Sequence, residues 1–242
     1  GKEYAYQFVV DSLVVADPYC HKVLDPDNDK GITFAVYPNL KAYPLGKTTG
    51  IVSVLQTKPA EYNWKYNSNP MPESQKLVIY ELLVRDFAAQ HSYNAVIDSL
   101  NYLKTLGINA IELMPVMEFE GNSSWGYNPS YHMALDKYYG TPEALKKLID
   151  TCHANGIAVI LDVVLNHAFG QNPMVQMYWD ANNSRPAANS PWFNPVAKHD
   201  FNVGYDFNHE SAYTKQYVAD VLRYWLTEYN IDGYRFDLSK GF

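Results

Sequence analysis

The chain has 242 residues, a formal charge of −7 and an ordinary 47% of apolar residues, which suits one large domain or two unequal ones. The acidic balance, with no Lys/Arg run anywhere, excludes the basic patches that a nucleic-acid partner needs. No apolar stretch approaches the roughly 20 residues of a bilayer span, and Gly1-Lys2-Glu3-Tyr4 lacks the basic and apolar regions of a signal peptide. The expectation is a soluble chain without membrane insertion, its compartment undetermined.

Residues 1–57 alternate short β-prone runs, such as Tyr4 to Val10 and Thr48 to Leu55, with turn chemistry at Asp17-Pro18 and Asp25-Pro26-Asp27-Asn28. They predict a β-rich N-terminal domain, like the end of a small β-sandwich whose first strands are missing. Residues 58–76 are polar and punctuated by prolines, which predicts a linker. Cys20 and Cys152 fall on either side of it and are expected to be free thiols.

From Leu77 the pattern changes. Leu77 to Val84 is a near-continuous apolar run, the mark of a strand covered on both faces. Val96, Leu100 and Leu103 stripe a helix that ends at Gly107, and Ile108 to Met114 makes a second strand. Thr141-Pro142 supplies an N-cap followed by Pro at the first helical position; Leu145, Leu148, Ile149 and Cys152 stripe that helix up to Gly156. Ile157 to Leu165 is a third strand. Tyr217, Val218, Val221, Leu222 and Trp225 stripe another helix, and Ile231 to Leu238 is a fourth strand. Such alternation is the α/β class with a parallel sheet, either doubly wound or a (β/α)8 barrel, and no Gly-rich phosphate loop follows the first strand to favour a dinucleotide fold. In both architectures ligands meet the C-terminal ends of the strands. Arg85, Asp86, Glu112, Asn166, His167, Arg235 and Asp237 gather there, with two long loops, 115–140 and 168–210.

The chemically loaded stretch is Ile231 to Phe242. In an extended strand Arg235 and Asp237 share a face, while Tyr234, Phe236 and Leu238 take the other. A guanidinium beside a carboxylate keeps it ionised and orients its oxygens through a forked hydrogen bond. Asp162 and Asn166 share a face of the third strand, where an Asp among apolar neighbours needs partners, and His167 stands at that strand's mouth. Trp125-Gly126-Tyr127 lies in the loop after the second strand, either a stacking platform or a plug beneath the loop. The 21 tyrosines and five tryptophans suit stacking on sugar faces.

Asp162 to His167, Gly233 to Lys240 and Trp125-Gly126-Tyr127 resemble, in order and in position, signatures of glycoside hydrolase family 13, the α-amylase family, over about residues 75 to 242. The resemblance implies a retaining glycosidase acting on α-glucans, with residues 77–242 as the first half of a TIM-type (β/α)8 barrel and 168–210 as an inserted loop subdomain. It implies that Asp237 attacks the anomeric carbon and Arg235 holds it. Tyr127 would stack on the sugar beside the scissile bond, with Trp125 and Lys240 also contacting substrate, and His167 would bind sugar hydroxyls. Asp162 would be a supporting carboxylate, and Asn166 is a calcium ligand in many relatives. No cofactor is required on this reading, and calcium is the candidate ion. Ala16-Asp17-Pro18-Tyr19 resembles the β-sandwich that precedes the barrel in branching and debranching members. Two departures stand out: Leu238 follows the proposed nucleophile, as in debranching-type relatives, and Lys240 is followed by Gly241 where many α-amylases have His.

A retaining mechanism also needs an acid/base carboxyl group about 5–5.5 Å from the nucleophile. The family places that Glu on a fifth strand, and Glu112, Glu118 and Glu120 stand at positions it does not use. The expectation is a chain completed by a C-terminal remainder or a second polypeptide, and inactive alone. A glucan-branching transglycosylase of the same family and a non-catalytic glycan-binding relative stay open as alternatives.

Overall fold

The computed structural model describes residues 1–66 and 72–242. Part of the expected linker, residues 67–71, therefore lies outside the described residues. The centre is a four-stranded, all-parallel sheet of β1 (Ile79–Leu82), β2 (Ala110–Leu113), β3 (Ala158–Val163) and β4 (Gly233–Phe236), arranged in sequence order. The crossovers carry α1 (Tyr93–Asp98) and α2 (Leu100–Thr105), then α3 (Pro142–Ala154), then α4 (Ala212–Tyr229).

The helix signals act as the sequence indicates. The Thr141 hydroxyl caps α3 by accepting from the Ala144 amide at 3.2 Å, Pro142 follows, and Leu145, Leu148, Ile149 and Cys152 are buried. Ser211 caps α4, which ends where Asn230 turns left-handed at φ 56°; Tyr217, Val221 and Trp225 are buried on its inner face. The stripe of Val96, Leu100 and Leu103 is buried too, but on two helices rather than one. Ser99 divides them, its hydroxyl donating back to the Ala95 carbonyl at 2.9 Å, the local bond that bends helices.

The two faces of the sheet differ. Ile111, Leu113, Val159, Leu161 and Val163 face the helices in the main core. The opposite face starts with a small apolar layer of Ala110, Ala158 and Ile160 and then turns polar: Glu112 stands between Glu81 on β1 and Ile160 on β3, and Asp162 stands opposite Arg235 on β4. β1 is not covered on both faces as its apolar run suggests. Val78 and Ile79 are half exposed, and the run ends in a helical turn at Val84–Phe87.

The loop at 115–140 forms a hairpin of Met117–Phe119 with Pro129–Leu135, and every residue of its second strand is buried. In residues 168–210, two-residue ladders join His167–Ala168 to Tyr205–Asp206 and Trp179–Asp180 to Arg185–Pro186, and a short helix, Pro173–Met177, is capped by Asn172. The N-terminal segment has an antiparallel sheet of Glu3–Tyr6, Val52–Gln56 and Val23–Leu24, and a hairpin of Phe8–Val10 with Leu13–Val15. A buried ion cluster joins it to the long hairpin: Lys137, 2% exposed, bonds Glu118 and lies 3.3 Å from Asp29. Both cysteines are free and buried.

Candidate active site

The candidate residues converge where β3 and β4 end. Because the strands are parallel with Asp162 opposite Arg235, the guanidinium reaches across the ladder, and alternation brings Asp237 to the same side. Arg235 Nη1 donates to Asp162 Oδ1 and Oδ2 at 3.1 and 3.0 Å and to Asp237 Oδ1 at 2.7 Å. The forked bond expected for Asp237 is not made. One nitrogen instead serves both carboxylates, because Asp162 presents both of its oxygens to it.

Exposure separates the two acids. The Asp162 side chain is 0% exposed and that of Asp237 is 21% exposed. Asp162 is further held by the Tyr127 hydroxyl, which donates to Oδ2 at 2.7 Å. Burial raises the Asp162 carboxyl above the usual carboxylate range, while Tyr127 and Arg235 oppose that shift by stabilising the anion. For Arg235, burial works to lower the pKa, but the bonds to Asp237 and Asp162 outweigh it and hold the guanidinium above its ordinary value. Glu112 is raised by burial first and then by the neighbouring Asp162 and Glu81. The site thus sets one guanidinium against several carboxylates, and of the two acids it binds, Asp237 keeps an open face. The backbone fixes that face: the Asp237 amide continues the ladder to the Val163 carbonyl at 3.0 Å, and Leu238 then turns left-handed at φ 43°, a conformation strained for a residue with a branched side chain.

Tyr127 is placed from the other long loop. Gly126, before it, has φ 93°, and a Cβ there would lie 2.7 Å from both the Pro115 carbonyl oxygen and the Pro115 Cβ, so only glycine allows the loop to cross that close. Trp125 projects from the same turn, 60% exposed. His167 is buried, its Nε2 bonded to the Tyr127 carbonyl at 2.9 Å, and its Nδ1 is buried without a partner; burial lowers its pKa, so the ring is neutral and can present one lone pair. Tyr127, Asp162, His167, Arg235 and Asp237 therefore form one connected network. Trp125 borders it. Lys240 stands apart, exposed, its ammonium 5.0 Å from the centre of the Phe201 ring.

Asn166 tests calcium. Its Oδ1 is buried without a partner, which suits a cation, and Gly241 packs closely beside it. Calcium takes about six to eight oxygen ligands, and the nearby carboxylate is already engaged. Asp206 Oδ1 accepts from His199 Nε2 at 3.0 Å, and Oδ2 accepts from Asn194 Nδ2 at 2.7 Å and from the Lys198 amide at 3.4 Å. No group of three His, Cys, Asp or Glu suited to a metal occurs among the described residues. The His199–Asp206 pair was not anticipated from the sequence; its only local signal is a His and an Asp seven positions apart in a loop.

An alpha-amylase catalytic-domain family model matches residues 89–202, which includes Tyr127, Asp162, Asn166 and His167. The chain is 34% identical over 179 residues to malto-oligosyltrehalose trehalohydrolase of Saccharolobus solfataricus, covering 73% of this chain and 30% of that protein. It is 30% identical over 266 residues to the chloroplastic isoamylase 1 of Arabidopsis thaliana, covering 95% of this chain and 32% of the relative. The chain thus spans about a third of the length of these relatives. Among solved structures, a type I pullulanase of Bacillus subtilis complexed with maltose superposes with a TM-score of 0.72 at 26% identity, covering 98% of this chain and 34% of that one.

Proposed function

We infer that this chain, which belongs to the α-amylase family of glycoside hydrolases, carries the nucleophile half of a retaining glycosidase acting on α-glucans. The observation that carries the reading is the placement of Arg235 Nη1 between a buried and an open carboxylate. On this reading Asp237 attacks the anomeric carbon along its open face. Arg235 keeps it ionised and aimed, and Asp162, locked by Tyr127, fixes Arg235 in turn. Tyr127 offers its ring to the sugar, His167 binds sugar hydroxyls beside it, and Trp125 and Lys240 bind substrate further out. The acid/base belongs to a further strand, and the four β/α units are the first half of an eight-stranded barrel. The relatives are a trehalohydrolase, an isoamylase and a pullulanase, which favours hydrolysis over transfer to a second glucan.

The test is stereochemical. Proton NMR of a maltooligosaccharide digest by the intact protein shows the α-anomer of the new reducing end first, before mutarotation. If the β-anomer is released first, displacement is single and the nucleophile role of Asp237 is wrong.

A further inference from the structure

A cleft away from the Arg235 network has the chemistry of a second binding site. It runs between the Thr33–Val36 loop of the N-terminal segment and the stretch from Ala88 to Ser99 that follows β1, with a volume of about 580 Å³. It continues into a smaller space of about 200 Å³, which shares Thr33, Val36 and Gln90 and is bounded by His91 and Tyr138.

Gln90, Asn94 and Asp98 line the cleft; Asn94 and Asp98, four apart on α1, share one face of that helix, with Cβ atoms about 5–6 Å apart. All three are exposed, and none has a hydrogen-bond partner among the described residues. Between them lie the small apolar side chains of Ala88 and Ala95, with Ala35 and Val36 opposite. Phe34, between the lining residues Thr33 and Ala35 in the chain, is 72% exposed. Among the described residues Asp98 is the only charged group lining the larger space, a lining that does not favour phosphates or other anions. Unspent amides and a carboxylate for hydroxyl pairs, small apolar patches for C–H faces and an exposed ring suit a neutral polyhydroxylated chain.

We propose that this cleft is an accessory glucan-binding site, distinct from the candidate active site, that holds a segment of an α-glucan chain. The choice of an α-glucan rests on the proposed function; the preference for a neutral polyol rests on the cleft alone. The cleft begins in the segment that follows β1, and Asp237 follows β4, so both lie beyond the C-terminal ends of strands of one parallel sheet.

The test compares the intact protein with Asn94→Ala/Asp98→Ala, two exposed changes, and with Ala35→Trp, which fills the cleft from its other wall. Retardation in glycogen-containing gels and calorimetric titration with maltoheptaose report binding. Loss of several hydrogen bonds predicts about tenfold weaker glycogen binding or more in both variants, with turnover of maltotriose unchanged. Tyr127→Ala, which alters the candidate active site, retains the glycogen retardation. Unchanged glycogen binding in the cleft variants, or abolition of all glucan binding by Tyr127→Ala alone, overturns the proposal. The two readings fail separately: a β-anomer product removes the nucleophile assignment and leaves cleft binding intact, whereas wild-type binding in the cleft variants removes the accessory site and leaves the stereochemical result intact.

Discussion

Tyr127→Phe isolates one bond in the network. Asp162 is fully buried and its side chain has two donors, the Tyr127 hydroxyl at 2.7 Å and Arg235 Nη1 at 3.0 and 3.1 Å. The substitution keeps the ring and removes one hydrogen bond to a buried anion, a loss of about 1.5–3 kcal/mol. For a chain of this size that lowers Tm by about 3–12 °C, at about 2–4 °C per kcal/mol. The lost bond stabilises the ionised form of Asp162, so its carboxyl pKa rises further in the variant. The penalty is therefore largest at neutral pH and shrinks as pH falls through that raised pKa and Asp162 takes up a proton. Urea unfolding of both proteins at pH 7 and pH 4.5 measures this. A loss below about 0.5 kcal/mol at pH 7, no larger than an ordinary surface change, or a penalty that grows on acidification, refutes the claim that Tyr127 secures Asp162.

Lys137→Met leaves the buried Glu118 and the half-buried Asp29 without their cation, which costs about 3–5 kcal/mol and loosens the N-terminal segment; Tm and limited proteolysis read this, and a variant as stable as the wild type removes the cluster's role. His132 is buried and its pKa is lowered to about 4, chiefly by burial. A depressed folded-state value means that the unfolded chain binds the proton better, so stability present above pH 6.5 is lost at about 1.4 kcal/mol per pH unit as pH falls toward 4. His132→Gln flattens that part of the stability profile, and an unchanged slope contradicts the assignment.

How far the sequence was readable depends on how local each cause is. Caps, Gly and Pro signals and apolar stripes act within a few residues, and they locate α3, α4 and the four strands. The pairing of Arg235 with Asp237 was readable because alternation along a strand needs no tertiary information. The bond from Tyr127 to Asp162 crosses 35 positions and depends on the tight approach of Gly126 to Pro115, which no periodicity encodes. His199 and Asp206 are only seven positions apart, but they lie in an irregular loop where no periodicity marks a pairing. For β1 the apolar run from Leu77 to Val84 points to coverage on both faces, whereas Val78 and Ile79 are half exposed. Such a run shows that a strand forms; what packs over each face is set by distant segments.

The most direct measurement is turnover of a maltooligosaccharide by the intact protein carrying Asp237→Asn, alongside binding of the same substrate. The amide keeps the size of the side chain and can still contact Arg235, but it cannot form the covalent glycosyl-enzyme. The account predicts a fall in kcat of about a thousandfold or more with binding retained. Activity above a few per cent of wild type would contradict the role given to Asp237.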